Sequence, residues 1–247
     1  PHGGVLVLVG DDHACKSSTI PQQSEFACID AGIPVLNPAS VQDVLDFGLI
    51  GWAMSRYSGC WVAMKAISES MDSTSACVVA PDRVSITLPE AFEMPEDGLN
   101  IRWPDQPMTQ ERRLHRHKLY AARAFARANG VDRLVIDSPR ARLGIFTTGK
   151  ATLDVLQALA DLGITAAHAA EIGLRVFKVG MSWPLDPMST RGFAEGLEEI
   201  LVIEEKRAVL ENQLKEQLYN ARADTRPRVV GKRDENGAWL LPSDGEL

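Results

Sequence analysis

The most constraining feature of this chain is a continuous apolar run near its start, Val5-Leu6-Val7-Leu8-Val9, followed at once by a polar stretch from Gly10 to Thr19. A strand with one wet face alternates apolar and polar residues. An unbroken run suits a strand covered on both faces, which is the habit of parallel sheets. Such a strand needs neighbours on both sides, and the chain begins without a methionine. The run therefore predicts a sheet whose other strands lie upstream, in a longer protein of which this chain is a piece.

The alternation that follows is that of a parallel α/β unit. Gln22 to Ala31 predicts a helix stopped by Gly32, and Pro34-Val35-Leu36 a short extended piece. Ser40 is an N-cap for a helix with Asp43 in its first turn and Val44, Leu45, Leu49 and Trp52 at helical spacing. Gly59 ends it, and Trp61-Val62-Ala63-Met64 predicts another strand, so residues 1–80 read β-α-β-α-β. Residues 81–142 read as a connector punctuated by Pro81, Pro89, Pro95, Pro104 and Pro107. Within it Thr109 to Asn129 predicts a basic amphipathic helix with Gly130 past its end. Residues 143–222 give three further βα units. Their strands are Leu143–Thr147, Leu174–Val179 and Leu201–Ile203, with a helix from Ser189 carrying Phe193, Leu197 and Ile200 and a last helix marked by Val209, Leu210, Leu214 and Leu218. Residues 223–247 form a polar tail with a turn at Asn236-Gly237.

Charge and cysteine usage exclude several classes. Lys and Arg number 26 against 33 Asp and Glu, a net charge of −7, which argues against nucleic acid as the main partner. No apolar run approaches the ~18 residues of a membrane span. The four cysteines, Cys15, Cys28, Cys60 and Cys77, form no CxxC pair, so neither a zinc nor an iron–sulfur site is legible in them. Their scattered spacing fits a reducing cytoplasm.

Ligands of open α/β sheets gather at the carboxyl ends of the strands. That rule selects Gly10-Asp11-Asp12-His13-Ala14-Cys15-Lys16-Ser17-Ser18-Thr19, the most chemically loaded stretch of the chain. His13 and Lys16 can partner a carboxylate or phosphate, and the N–H groups and hydroxyls of Ser17 and Ser18 can bond the same anion. A polar surface loop with capping serines is the competing reading. The same rule picks out Thr147-Thr148-Gly149-Lys150, Ser182-Trp183-Pro184 and Glu204-Glu205-Lys206. For these a capping turn, a packing tryptophan and a helix-dipole pair are the stronger readings. The basic run Arg112–Lys118 reads first as a solvated helix face. His168 has no nucleophile nearby, and neither a GxSxG elbow, a P-loop nor a GxGxxG motif occurs.

The loaded loop, with Pro21-Gln22-Gln23-Ser24-Glu25, Asn37–Asp43 and Gly51–Gly59, resembles the late part of the pyrimidine-type thiamine diphosphate domain of indolepyruvate ferredoxin oxidoreductases. Leu143–Lys150, Lys178–Leu185 and Leu201–Tyr219 resemble the transketolase C-terminal-type domain of the same enzymes, most closely the large bacterial fused form. The resemblance runs along nearly the whole chain. It implies an α/β architecture: a partial pyrimidine-type thiamine diphosphate domain in 1–80, the connector, and a small parallel transketolase C-terminal-like domain in 143–222. It further implies oxidative decarboxylation of aryl 2-oxoacids such as indolepyruvate to acyl-CoA. Thiamine diphosphate with Mg²⁺, coenzyme A and 4Fe-4S clusters serve that reaction, ferredoxin is the electron acceptor, and the complete protein is expected as a homodimer. By the same resemblance His13 and Lys16 lie near the substrate, and Asp12, Ser17 and Ser18 near the cofactor. Two departures matter. The Gly-Asp-Gly signature of the diphosphate site is absent, and none of the cysteines matches a cluster motif. The glutamate that activates the cofactor is expected upstream of Pro1. The cofactors are therefore expected to be held mostly by other parts of the protein, and this segment alone is expected to be inactive. Two rivals remain: a related 2-oxoacid oxidoreductase with another substrate, and a non-catalytic module that binds an anion or partner.

Overall fold

A computed structural model describes residues 2–247. The first sheet is built from β1 (Leu6–Asp11), β2 (Val35–Leu36) and β3 (Val62–Ile67), with α1 (Glu25–Asp30) and α2 (Val41–Ser58) between them. Its strand order places β3 between β1 and β2, all parallel, with Leu6 opposite Val62 and Asp11 opposite Ile67. Helix α2 begins where the sequence predicts: the Ser40 hydroxyl accepts the Asp43 N–H, and the Asp43 carboxylate accepts the Ala39 N–H at 2.8 Å. It ends on Gly59, which takes a left-handed φ of 71° that a residue with a Cβ adopts only at a cost.

A single turn, α3 (Ser68–Met71), opens the Pro-rich stretch, which then runs without regular structure to α4 (Pro107–Arg113). A π-helical turn over Leu114–Lys118 joins α4 to α5 (Leu119–Ala128), so the predicted basic helix is one element with a wide turn inside it. That turn splits the basic run. Arg113 and Lys118 point inward, to Asp97 at 2.9 Å and to the Gly59 carbonyl at 3.2 Å, whereas Arg112, His115, Arg116 and His117 stay exposed.

The second sheet contains β4 (Arg133–Ile136), β5 (Leu143–Thr148), β6 (Leu174–Val179), β8 (Glu199–Ile203) and β9 (Arg228–Val230), in the order β4-β6-β5-β8-β9. Helices α6 (Ala151–Asp161) and α7 (Ala166–Ile172) follow β5. Strand β7 (Met181–Trp183) and α8 (Pro187–Ala194) follow β6, and α9 (Leu210–Leu218) follows β8. The period of two along the strands sorts side chains to opposite faces. Phe146, Phe177, Phe193 and Leu214 pack on one side, and Ile145, Val176, Val155 and Leu159 on the other. The Phe146 and Phe177 rings stack at 5.5 Å, and each fully buried ring contributes about 1.5–3 kcal/mol.

Four details differ from the sequence expectations. Strand β4 lies inside the span read as connector and pairs antiparallel to β6, and β9 draws part of the polar tail into the sheet as a parallel edge. The helix predicted from Ser189 is capped by Asp186 instead, with Pro187 in its first turn, and it stops at Ala194, so Leu197 and Ile200 lie beyond it. Strand β7 leaves the second sheet and pairs antiparallel with β2 of the first. The two sheets are thereby tied by main chain as well as by side chains. Among the latter, Lys178 on β6 forms a buried ion pair with Asp43 on α2.

Candidate functional site

The carboxyl ends of β1 and β3 from the first sheet and of β5 and β8 from the second meet around one buried polar cluster. The loop after β1 is shaped from within by its own acids. Asp11, the last residue of β1, accepts the Ser24 N–H at 3.0 Å and the Ser24 hydroxyl at 2.5 Å, which ties the loop to the start of α1. Asp12 turns inward and accepts the N–H groups of Lys16 (2.8 Å), Ser17 (2.7 Å) and Ser18 (2.9 Å). Those donors, Ser17 first, hold its carboxyl down at about 2. Cys15, inside the turn, has a φ of 60°.

His13 is the residue of this loop that points into the junction. It is 2% exposed, and its Nδ1 hydrogen-bonds to the Glu205 carboxylate at the end of β8. Its other nitrogen, Nε2, lies 3.9 Å from Asp11 Oδ2 and has no hydrogen-bond partner. Glu205 also meets Lys150 Nζ at 3.3 Å. Burial opposes ionisation of Glu205, but the His13 hydrogen bond and the charge of Lys150 outweigh it and hold the carboxyl below its usual range. Lys65 on β3 donates to Glu25 at 2.5 Å and lies 3.5 Å from Asp11, and Lys206 donates to the His13 carbonyl at 3.0 Å. Two ammonium groups, Lys65 and Lys150, thus pair with three carboxylates, Asp11, Glu25 and Glu205, the last of which also meets His13. Pairing of this kind is what makes so many buried charges tolerable.

The cluster surrounds a cavity of about 10 Å³, the room of one water, lined by His13, Glu25, Asn37, Lys65, Thr148 and Glu205 among others. Besides His13 Nε2, Glu25 Oε2 is buried without a partner. This space does not fit thiamine diphosphate. Among the described residues no group of three or more His, Cys, Asp or Glu side chains could hold a metal ion, and all four cysteines are free and dispersed. Around this junction the described residues therefore form no seat for the cofactor, for Mg²⁺ or for a cluster.

The sequence-selected residues part company here. His13 is brought into the junction, but Lys16 is not: its ammonium lies on the outer side of the loop, 2.5 Å from Glu69 and 2.7 Å from Glu246. The N–H groups of Ser17 and Ser18 are already engaged by Asp12. Glu204 caps α9, accepting the N–H groups of Val209, Leu210 and Glu211, and burial pushes its carboxyl up to about 7 against those donors. The Thr147-Thr148-Gly149 turn is filled by Asn37, whose Oδ1 would lie 2.5 Å from a Cβ at Gly149. Trp183 packs against Cys28, Val35 and Ala63, and His168 is exposed. Glu205, Lys65 and Glu25 were not singled out as partners of His13. The rule of strand carboxyl ends reaches Glu205, but nothing in the spacing joins it to a histidine 192 residues away.

The family model "Indolepyruvate ferredoxin oxidoreductase middle domain" matches residues 132–245. The indolepyruvate oxidoreductase subunit IorA of Pyrococcus abyssi is 28% identical over 87% of the chain, and that of Methanothermobacter thermautotrophicus is 26% identical over 94%. The chain spans about a third of the length of these relatives, 32% and 35%. Among solved structures, 2-oxoglutarate:ferredoxin oxidoreductase from Magnetococcus marinus superposes with a TM-score of 0.53 at 16% identity, covering 91% of this chain and 45% of that one. A split-gene transketolase, described as an inactive β4 tetramer, does so with 0.51 at 15% identity, covering 94% and 58%. These likenesses carry the fold: mixed parallel α/β sheets of the thiamine diphosphate and transketolase C-terminal kinds.

Proposed function

We propose, from the likeness of residues 132–245 to the indolepyruvate ferredoxin oxidoreductase middle domain, that the chain is a working part of an enzyme that oxidatively decarboxylates aryl 2-oxoacids, indolepyruvate first. In this reading the complete protein is cytoplasmic and homodimeric. It binds coenzyme A, passes electrons to ferredoxin, and carries thiamine diphosphate, Mg²⁺ and 4Fe-4S clusters on segments outside this chain. Residues 1–80 are the late part of the pyrimidine-type domain, 81–142 the connector, and 143–222 the transketolase C-terminal-like domain. Thiamine diphosphate supplies the carbanion chemistry when bound. The role of this chain is to shape and charge one wall of the site.

The observation that carries the proposal is the buried junction at the strand carboxyl ends, where His13 from the first sheet meets Glu205 from the second. A buried imidazole with one unpartnered nitrogen among paired charges is costly to keep for packing alone. His13 is assigned to the carboxylate or reacting end of the 2-oxoacid. Asp12, Ser17 and Ser18 are assigned to holding the loop against the cofactor side. Lys16 can act as a second carboxylate partner only by leaving Glu69 and Glu246.

The test is a substrate panel on the full-length protein with coenzyme A and ferredoxin. Indolepyruvate should give the highest kcat/KM, ahead of pyruvate and branched-chain 2-oxoacids. Substituting Lys16 by Met should raise KM for the 2-oxoacid, and an unchanged KM confines that role to His13. If no 2-oxoacid reduces ferredoxin, the enzymatic reading fails and an anion- or partner-binding module takes its place.

A further inference from the structure

We propose that Glu205 is a positioning residue that fixes one tautomer of His13, leaving Nε2 as the proton acceptor of the buried junction. The inference rests on the functional reading above for its consequence, but on geometry for its substance. A neutral imidazole carries its proton on one nitrogen, and the hydrogen bond made by the other nitrogen decides which. Here Nδ1 faces a carboxylate that its hydrogen bond to His13 and the charge of Lys150 hold ionised. A carboxylate only accepts, so Nδ1 must carry the proton. Nε2 is then a free lone pair. It is buried, it lacks any hydrogen-bond partner, and it lines the same water-sized cavity as the unpartnered Glu25 Oε2.

The arrangement has the form of an acid–base dyad: a carboxylate orients an imidazole and offsets the charge it gains when Nε2 takes a proton. The proton reaches Nε2 through the one water for which the cavity has room, and the same path returns it. Asp11, 3.9 Å from Nε2, adds a second negative charge on that side, and Lys65 partly neutralises it from 3.5 Å. The two members come from different sheets. Proton transfer at His13 therefore depends on correct docking of the C-terminal half of the chain, even though the histidine sits in the N-terminal half. Lys150 belongs to the same device: it holds the second oxygen of Glu205 and leaves the first to His13.

The experiment is a neutron crystal structure of the full-length protein after exchange into D₂O, paired with kinetics of E205Q and E205D. The expected result is deuterium on His13 Nδ1 and none on Nε2. E205Q should lower kcat for the 2-oxoacid by at least tenfold with KM changed less than twofold, and E205D should recover part of the loss. A purely structural Glu205 would instead lower the fraction of active enzyme, with the pH profile of the remaining activity unchanged. Deuterium on Nε2, or an E205Q enzyme with unaltered kcat and pH profile, overturns the proposal. If the wild-type protein turns over no 2-oxoacid, the functional reading falls, while the neutron structure still decides the tautomer.

Discussion

Gly180 is the hinge on which β6 hands the chain from the second sheet to the first, and adding one methyl group there has a calculable result. An alanine Cβ at this position would lie 2.3 Å from the Val131 carbonyl oxygen and 2.8 Å from the Phe47 ring. The first of these is backbone and cannot rotate away. The Gly180 and Met181 N–H groups donate to Asp132 at 2.8 and 3.0 Å, and the Gly180 carbonyl accepts the Asn37 N–H at 2.8 Å. Overpacking of a tight core costs about 1–3 kcal/mol. Loosening two of these hydrogen bonds adds about 0.5–1.5 kcal/mol each. A total near 3 kcal/mol is expected for Gly180→Ala, roughly a hundredfold in an opening equilibrium. Hydrogen-exchange mass spectrometry on the full-length protein reads this directly. Peptides covering β6 and β7 should exchange about a hundred times faster. Gly48→Ala is the matched control: it lies in helix α2 with nothing within 4 Å of the new Cβ. It should slow exchange in α2, since Ala is favoured over Gly in a helix by about 1 kcal/mol. If Gly180→Ala exchanges like wild type, the close approach of β6–β7 to Val131 is wrong and the tie between the sheets with it.

Other consequences follow from single contacts. Phe146→Ala, at the centre of the Phe146–Phe177–Phe193 stack, should destabilise the second sheet by about 3–5 kcal/mol, seen as a lower urea midpoint. Asp12→Asn turns an amide toward the N–H groups of Lys16, Ser17 and Ser18, so trypsin should cut faster after Lys16 in that variant than in wild type. Glu205 has a folded-state pKa below the ordinary 4.5, so its stabilising contribution is present above pH 4.5 and is lost as the pH falls through the folded value. Pepsin cleavage near the junction should accordingly rise more steeply between pH 5 and 3 in wild type than in E205Q.

Much of the fold was legible in the sequence because its strands are long and apolar and its helices carry strong stops. Val5–Val9, Leu174–Val179, Ser40 and Gly59 each state their role locally. The elements that escaped are short or sit at edges. β7 has three residues and pairs with partners far upstream, Met181 against Leu36 and Trp183 against Val35, reversing onto a strand read as part of another unit. β4 has three of its four residues exposed, so it shows no buried face to read. The start of α8 was readable after all: Asp186-Pro187 is an N-cap followed by a first-turn proline, a better signal than Ser189. The site divided in the same way. The rule of strand carboxyl ends reached the loop that holds His13, but the outward turn of Lys16 depends on Glu69 and Glu246, which no local pattern connects to it.

The His13–Glu205 contact at the junction of the two sheets is proposed to act as one unit. A double-mutant cycle in kcat/KM for indolepyruvate, with H13N, E205Q and the pair in the full-length protein, measures it most directly. Groups that act as a unit are not additive. The double variant should therefore be no slower than H13N alone. Losses that simply multiply, or a single variant with the full wild-type kcat/KM, would contradict the claim.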